Sequence, residues 1–168
     1  MVQPNEEGEL AARDNRRPWL PPSWFSHALW AIHRAIFRIT RGRRGLWRSK
    51  PDKWGTLRLK SVGRRTGRER VAILGYYEDG PNLVTMAMNG WMEAEPRWWL
   101  NLQAHPEATV ELVDGSRAIR ARTAQGDERP RLWARWLEVG PFEDLDQFAA
   151  LRSRETAIVI LEPASPAR

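Results

Sequence analysis

The chain has no cysteine. Disulfides, thiolate zinc sites, iron–sulfur clusters and cysteine nucleophiles are therefore excluded, and a reducing cytoplasm is a fitting setting. Histidine is scarce, standing only at positions 27, 33 and 105. His27 and His33 are six apart, which does not bring them together on a helix, and His105 precedes Pro106 at a predicted helix end. HExxH, GxSxG and a two-His-one-carboxylate set are all missing, which argues against metal catalysis and Ser-His-Asp hydrolysis. No apolar run approaches the roughly 18 residues of a membrane span. The acidic, polar start, Met1-Val2-Gln3-Pro4-Asn5-Glu6-Glu7, is unlike a secretory signal. No repeat is visible, which argues against a solenoid. An enzyme with this inventory would borrow its chemistry from a cofactor.

What is abundant is arginine. The net charge of +6 is unevenly spread. Residues 34–70 hold fourteen Lys/Arg against two acids, whereas residues 71–168 hold ten against fifteen. Within the basic block, lysine occurs only at 50, 53 and 60. A local excess points to a specific anionic partner, and arginine binds phosphate and carboxylate in a two-pronged way that lysine cannot match. Genome composition would explain the bias toward arginine but not its clustering.

A length of 168 residues suits one domain with one core. Residues 1–18 read as a disordered arm. Residues 19–54 read as a basic amphipathic helix and linker. Ser23 is a candidate N-cap there, Phe25, Leu29, Ile32, Ile36 and Ile39 form an apolar stripe, and His27, Arg34, Arg38 and Arg41 fall on another face. Two readings stay open for this helix: packing on the domain, or lying on an anionic membrane surface. From Gly55 to Pro163 the period changes. Strands are predicted over 56–62, 71–77, 83–88, 108–113, 117–123 and 156–161, with helices over 96–104, 130–139 and 142–152. Residues 71–77 are apolar on both faces and so suit a central strand. The fold class is α+β, mainly β: a small barrel of about six mostly antiparallel strands with inserted helices, and residues 164–168 as a tail.

Two segments carry the chemistry. The first is Gly63-Arg64-Arg65-Thr66-Gly67-Arg68-Glu69-Arg70. It is not a P-loop, yet as a turn between strands it offers free backbone N–H groups and two glycines that allow close approach of an anion. A solvated hairpin turn is the plain alternative. The second is Pro96-Arg97-Trp98-Trp99-Leu100-Asn101-Leu102-Gln103-Ala104-His105-Pro106. On a helix Trp98 and Trp99 point about 100° apart, so one can pack inward while the other borders a pocket. Asn101 shares a face with Trp98, and a buried Asn demands hydrogen-bond partners. A tryptophan-rich core without a ligand is the alternative here.

Taken in this order, and followed by a hairpin and the ending Arg154-Glu155-Thr156-Ala157-Ile158-Val159-Ile160-Leu161-Glu162-Pro163, these motifs resemble the deazaflavin-dependent (F420-dependent) nitroreductase and quinone reductase family. The resemblance covers residues 55–163. It implies a split β-barrel of the flavin-binding type and coenzyme F420 as cofactor. It also implies hydride transfer to a quinone, nitroaromatic or other activated small-molecule acceptor. Members often associate with the membrane, so it implies a cytoplasmic protein with peripheral contact through residues 23–54 on the inner face of the plasma membrane, as a monomer or small homo-oligomer. By position, Arg64, Arg65 and Thr66 would face the coenzyme's phosphate and oligoglutamate tail. Arg70, Val71, Ala72, Ile73 and Leu74 would run along it, and Met86, Ala87, Met88 and Asn89 would contact phosphate and linker. Arg97, Trp98 and Asn101 would border the deazaflavin end. No side chain is assigned as catalyst.

The chain departs from the family pattern in places. Asn89-Gly90-Trp91 replaces a frequent Lys-Gly-Gly, Ile73-Leu74 replaces Pro-Leu, and Gly75 stands where a tyrosine can line the acceptor side. The segment Gly140-Pro141-Phe142-Glu143-Asp144-Leu145-Asp146 lacks the usual tyrosines. Two other functions remain compatible with the residues: a same-fold oxidoreductase using FMN or FAD, and a non-enzymatic binder of lipid or nucleic-acid surfaces. The basic run lacks a nucleic-acid recognition pattern, which argues against the last of these.

Overall fold

The protein is described by a computed structural model over residues 45–140 and 145–164. The expected arm, the amphipathic helix with its membrane reading, and the end of the tail lie outside the described residues. Six strands take up the period-two stretches: β1 (Gly55–Val62), β2 (Glu69–Asp79), β3 (Asn82–Met86), β4 (Glu107–Leu112), β5 (Gly115–Thr123) and β6 (Ile158–Pro163). Every pairing is antiparallel, and the sheet closes in the order β1-β2-β3-β6-β5-β4. The expected small antiparallel barrel is therefore what forms. Three helices accompany it: α1 (Arg97–Ala104), α2 (Glu128–Val139) and α3 (Leu145–Ala149).

Several boundaries differ from the sequence reading. β3 stops at Met86, two residues early, because the chain leaves the sheet at Ala87. Pro96 caps α1 from outside rather than opening it. The β4–β5 hairpin is tighter than Asp114-Gly115-Ser116 suggests: Leu112 pairs with Gly115, whose φ of 140° only glycine adopts readily, and Val113-Asp114 form the loop. β6 starts at Ile158 and runs on to Pro163, two residues later at each end than expected, a strand terminus where the proline's missing N–H costs nothing.

Strand alternation builds two cores. Leu57, Leu59, Leu74, Tyr76, Val110, Ile119, Val159 and Leu161 point into the barrel, joined by Trp99 and Leu102 of α1. Tyr77, Val84, Met86, Ile158 and Ile160 point outward and are covered by Leu132, Trp133, Trp136 and Val139 of α2 and Leu145 of α3. Each fully buried aliphatic side chain contributes roughly 2 kcal/mol before entropy is counted. This double burial explains why β2 is apolar on both faces. The Tyr77 hydroxyl donates to the Leu132 carbonyl at 2.8 Å, which satisfies the one polar atom that ring carries into the outer core. Helix α1 contacts β1, β2 and β5, and its two inward residues stopper one end of the barrel.

Candidate functional site

The barrel is not evenly sealed. β2 pairs with β1 from Glu69 to Tyr76. It pairs with β3 only at Tyr77, Glu78 and Asp79. Between Arg70 and Gly75 the β3 side of β2 thus has no strand partner among the described residues. Half of the backbone N–H and C=O groups of that stretch face an opening in the ladder, with no strand partner among the described residues. Beyond Met86 the chain leaves β3, and the Ala87 N–H donates to the Ala157 carbonyl at 2.9 Å. Of the residues singled out in the sequence, 70–74 lie along this opening and 86–89 run on from the end of β3. Their side chains divide: Ala72 and Leu74 pack toward the barrel interior, whereas Val71 is exposed. A ligand along β2 would meet its backbone edge rather than all five side chains.

The cationic turn joins β1 to β2 beside this opening. Its backbone is largely self-satisfied. Gly63 N–H donates to the Arg68 carbonyl (2.8 Å), and Thr66 and Gly67 N–H donate to the Gly63 carbonyl (3.1 and 2.8 Å). Arg68 N–H donates to Thr66 Oγ1 (3.4 Å), and Arg64 N–H to Asn101 Oδ1 (3.2 Å). The sequence reading offered several free amides. The turn leaves one, that of Arg65, without an acceptor among the described residues. A Cβ on Gly63 would meet Arg68 O at 3.0 Å and Thr66 Oγ1 at 3.2 Å, so glycine permits the closure, and Gly67 (φ 65°) permits the reversal.

The basic block splits in the structure. Arg48 pairs with Asp114 at 2.7 Å, and Arg58 and Lys60 share Glu111, whose carboxyl these hydrogen bonds, Arg58's first, hold below the usual range. Arg120, Arg122, Arg129, Arg131, Arg135, Arg152 and Arg154 also meet carboxylates. Arg64, Arg65, Arg68 and Arg70 are exposed and meet none among the described residues, and Arg70 reaches only Thr66 Oγ1 at 3.4 Å. Arginines clustered in one turn, with Glu69 the one acid among them and none of them in an ion pair among the described residues, are an arrangement suited to an anion.

α1 supplies the other half. Trp99 is buried and Trp98 half-buried, their rings 6.2 Å apart and tilted by 57°, as their helical spacing requires. Arg97 is exposed at the first helical position. The hydrogen bond from Arg64 to Asn101 joins the two motifs, which stand 37 positions apart.

Sequence reasoning missed a brace behind the opening. The Arg152 side chain is fully buried and donates to Ala87 O (3.3 Å), Thr156 Oγ1 (2.8 Å) and Glu95 Oε1 (3.1 Å). Glu93 accepts from Ser153 N–H, Ser153 Oγ and Arg154, which brings its carboxyl down from 4.5 to about 2. The loop 87–95 is thereby tied at both ends. The signal was present as two acids and two arginines with equal i, i+2 spacing, Glu93/Glu95 and Arg152/Arg154.

The departures also acquire physical content. Asn89 donates from Nδ2 to Ala94 O at 3.4 Å and so serves its own loop. The outward side of Gly75 is filled by Trp54 and Trp136, which would lie 3.1 and 3.7 Å from a Cβ there.

An antiparallel barrel with an unpaired strand edge, an arginine-rich turn and no conventional catalytic set among the described residues suits an enzyme that borrows its chemistry from an anionic cofactor. The chain belongs to the F420H(2)-dependent quinone reductase family, whose model matches residues 31–163. A putative F420H(2)-dependent quinone reductase of Mycobacterium tuberculosis is 32% identical over 108 residues, 64% of this chain and 89% of that protein. A second F420H(2)-dependent quinone reductase of the same species is 30% identical over 104 residues, 61% of this chain and 68% of its own. Among solved structures, an F420-H2 dependent reductase shares the fold with TM-score 0.57 at 22% identity, covering 70% of this chain and all of its own. A chain described as a domain-swapped dimer does so with TM-score 0.59 at 22% identity, covering 83% of this chain and all of its own. The protein is an oxidoreductase, and coenzyme F420 is its cofactor. The donor set fits that group: guanidinium groups that meet no carboxylate, and an amide with no acceptor, among the described residues suit a phosphate and a chain of carboxylates.

Proposed function

We propose that the protein transfers a hydride from reduced coenzyme F420 to a quinone, with nitroaromatic and other activated compounds as further acceptors, at the open edge of β2. The observation that carries this is the cluster of Arg64, Arg65, Arg68 and Arg70, free of carboxylates among the described residues, around the acceptor-less amide of Arg65. The bound coenzyme supplies the hydride. Arg64, Arg65 and Thr66 grip the phosphate and oligoglutamate tail by charge-assisted hydrogen bonds. The backbone of Arg70–Leu74 holds the coenzyme along one wall, and Met86–Asn89 form the other. Arg97 and Trp98 flank the ring end, where Trp98 excludes water and narrows the approach of the acceptor.

Titration with oxidised F420, followed by fluorescence polarisation, tests the reading. Binding in the micromolar range is expected, and Arg65→Ala is expected to weaken it by about tenfold or more, the worth of one charged hydrogen bond. Absence of binding at tens of micromolar, with Arg65→Ala indistinguishable from the parent, would sink it.

A further inference from the structure

We propose that Asn101 is a positioning residue for the cationic turn rather than a contact of the deazaflavin ring. The proposal rests on the coenzyme reading of the site and assigns Asn101 a role within it.

Asn101 is 5% exposed and sits on α1 between Trp99 and Leu102, both seated in the barrel core. A buried carboxamide is costly unless it is hydrogen-bonded, and here Oδ1 takes the Arg64 N–H at 3.2 Å. That donor also fixes the amide's orientation, since only the oxygen can accept from an N–H.

The turn needs such an anchor. Gly63, Thr66, Gly67 and Arg68 close their N–H groups within the turn, so Asn101 is what ties its backbone to the barrel-end helix. Two glycines make the segment pliant, and its clustered guanidinium groups repel one another. Without the Asn101 oxygen, Arg64 N–H turns to water and the neighbouring Arg65 amide loses its fixed direction. With it, the turn is held open to an anion before any anion arrives, which lowers the ordering cost of binding.

The test compares Asn101→Leu, which removes the acceptor at similar size, with Asn101→Asp, which keeps an accepting oxygen. Asn101→Ser, polar but too short to reach, serves if leucine is not tolerated in the buried slot. Two readouts are made on the full chain. The first is hydrogen exchange of the Arg64 amide without ligand. Protection in the parent and in Asn101→Asp is expected, with loss in Asn101→Leu or Asn101→Ser while β1 and β2 amides stay protected. The second is affinity, by fluorescence polarisation, for intact F420 and for the deazaflavin alcohol lacking phosphate and glutamates. Asn101→Leu is expected to weaken intact F420 three- to tenfold, about one hydrogen bond's worth, and to leave the tail-less compound within twofold. Equal weakening of both ligands would make Asn101 a ring contact and overturn the proposal, as would unchanged affinity or unchanged Arg64 exchange. If the parent binds neither ligand, the coenzyme reading falls, and Arg64 exchange alone decides whether Asn101 holds the turn.

Discussion

Two consecutive residues, Gly90 and Trp91, hold positive φ, 59° and 62°. For glycine this is free. For a residue with a side chain it costs roughly 1–2 kcal/mol. Trp91 is nonetheless only 6% exposed, and its ring stacks on Phe148 at 5.8 Å and 22°. The sequence marks Asn89-Gly90-Trp91 as a departure but gives no direction to it, because a tryptophan near a site reads equally as wall or as ligand contact. The structure makes it a packing residue that bears backbone strain for the sake of burial. Trp91→Ala keeps the strain and loses the packing, an expected loss of about 3–5 kcal/mol. Trp91→Gly loses the packing but relieves the strain, so it should be about 1 kcal/mol more stable than the alanine variant. Urea denaturation of both checks this, and an alanine variant as stable as the glycine one would show that no strain is stored.

At the scale of elements, the segment from Arg152 to Arg154 matters as much as any strand. A fully buried arginine is tolerable only with its partners in place, and Glu95 is one of them. Arg152→Met should therefore destabilise by about 3–5 kcal/mol, since it leaves Glu95 and the Ala87 carbonyl short of a donor. Adding Glu95→Gln should recover part of that loss in a double-mutant cycle. Additive losses would mean that the pair is not coupled. The matching i, i+2 spacing of Glu93/Glu95 and Arg152/Arg154 was visible, but no local rule pairs residues 57 positions apart, so the brace was not read from it. The helices and hairpins were legible, since Asp114-Gly115, Gly80-Pro81 and Pro96 carry local signals. The short α3 was overestimated: the stretch 142–152 is apolar enough for a helix, yet among the described residues only Leu145–Ala149 is helical, and Leu151 and Arg152 turn back under the loop instead.

For the molecule as a whole, the barrel could be counted from the sequence but its opening could not. Turns tell where strands end, whereas which edge of β2 stays unpaired depends on β3 leaving the sheet at Met86. Whole-molecule electrostatics gives a prediction about acid. Hydrogen bonds from Arg131 to Asp79, from Ser153 to Glu93, from Arg58 to Glu111 and from Arg122 to Glu128 lower these carboxyl pKa values in the folded state. The unfolded chain then binds protons more readily than the folded one, so the stabilisation is present above the ordinary carboxyl range and fades as pH falls. For Glu93 the window runs from 4.5 down to about 2. The melting temperature should drop through that window, and Glu93→Gln should flatten part of the slope; a melting temperature constant from pH 5 to 2.5 would contradict it. The open edge of β2 has one more consequence. A bare strand edge is a template onto which another chain can add a strand, and natural sheets guard such edges with charge. The exposed arginines of the cationic turn flank this edge, so two copies approaching edge to edge would meet as like charges. On the proposed reading, charge placed for a ligand would also act against edge-to-edge pairing of two empty copies.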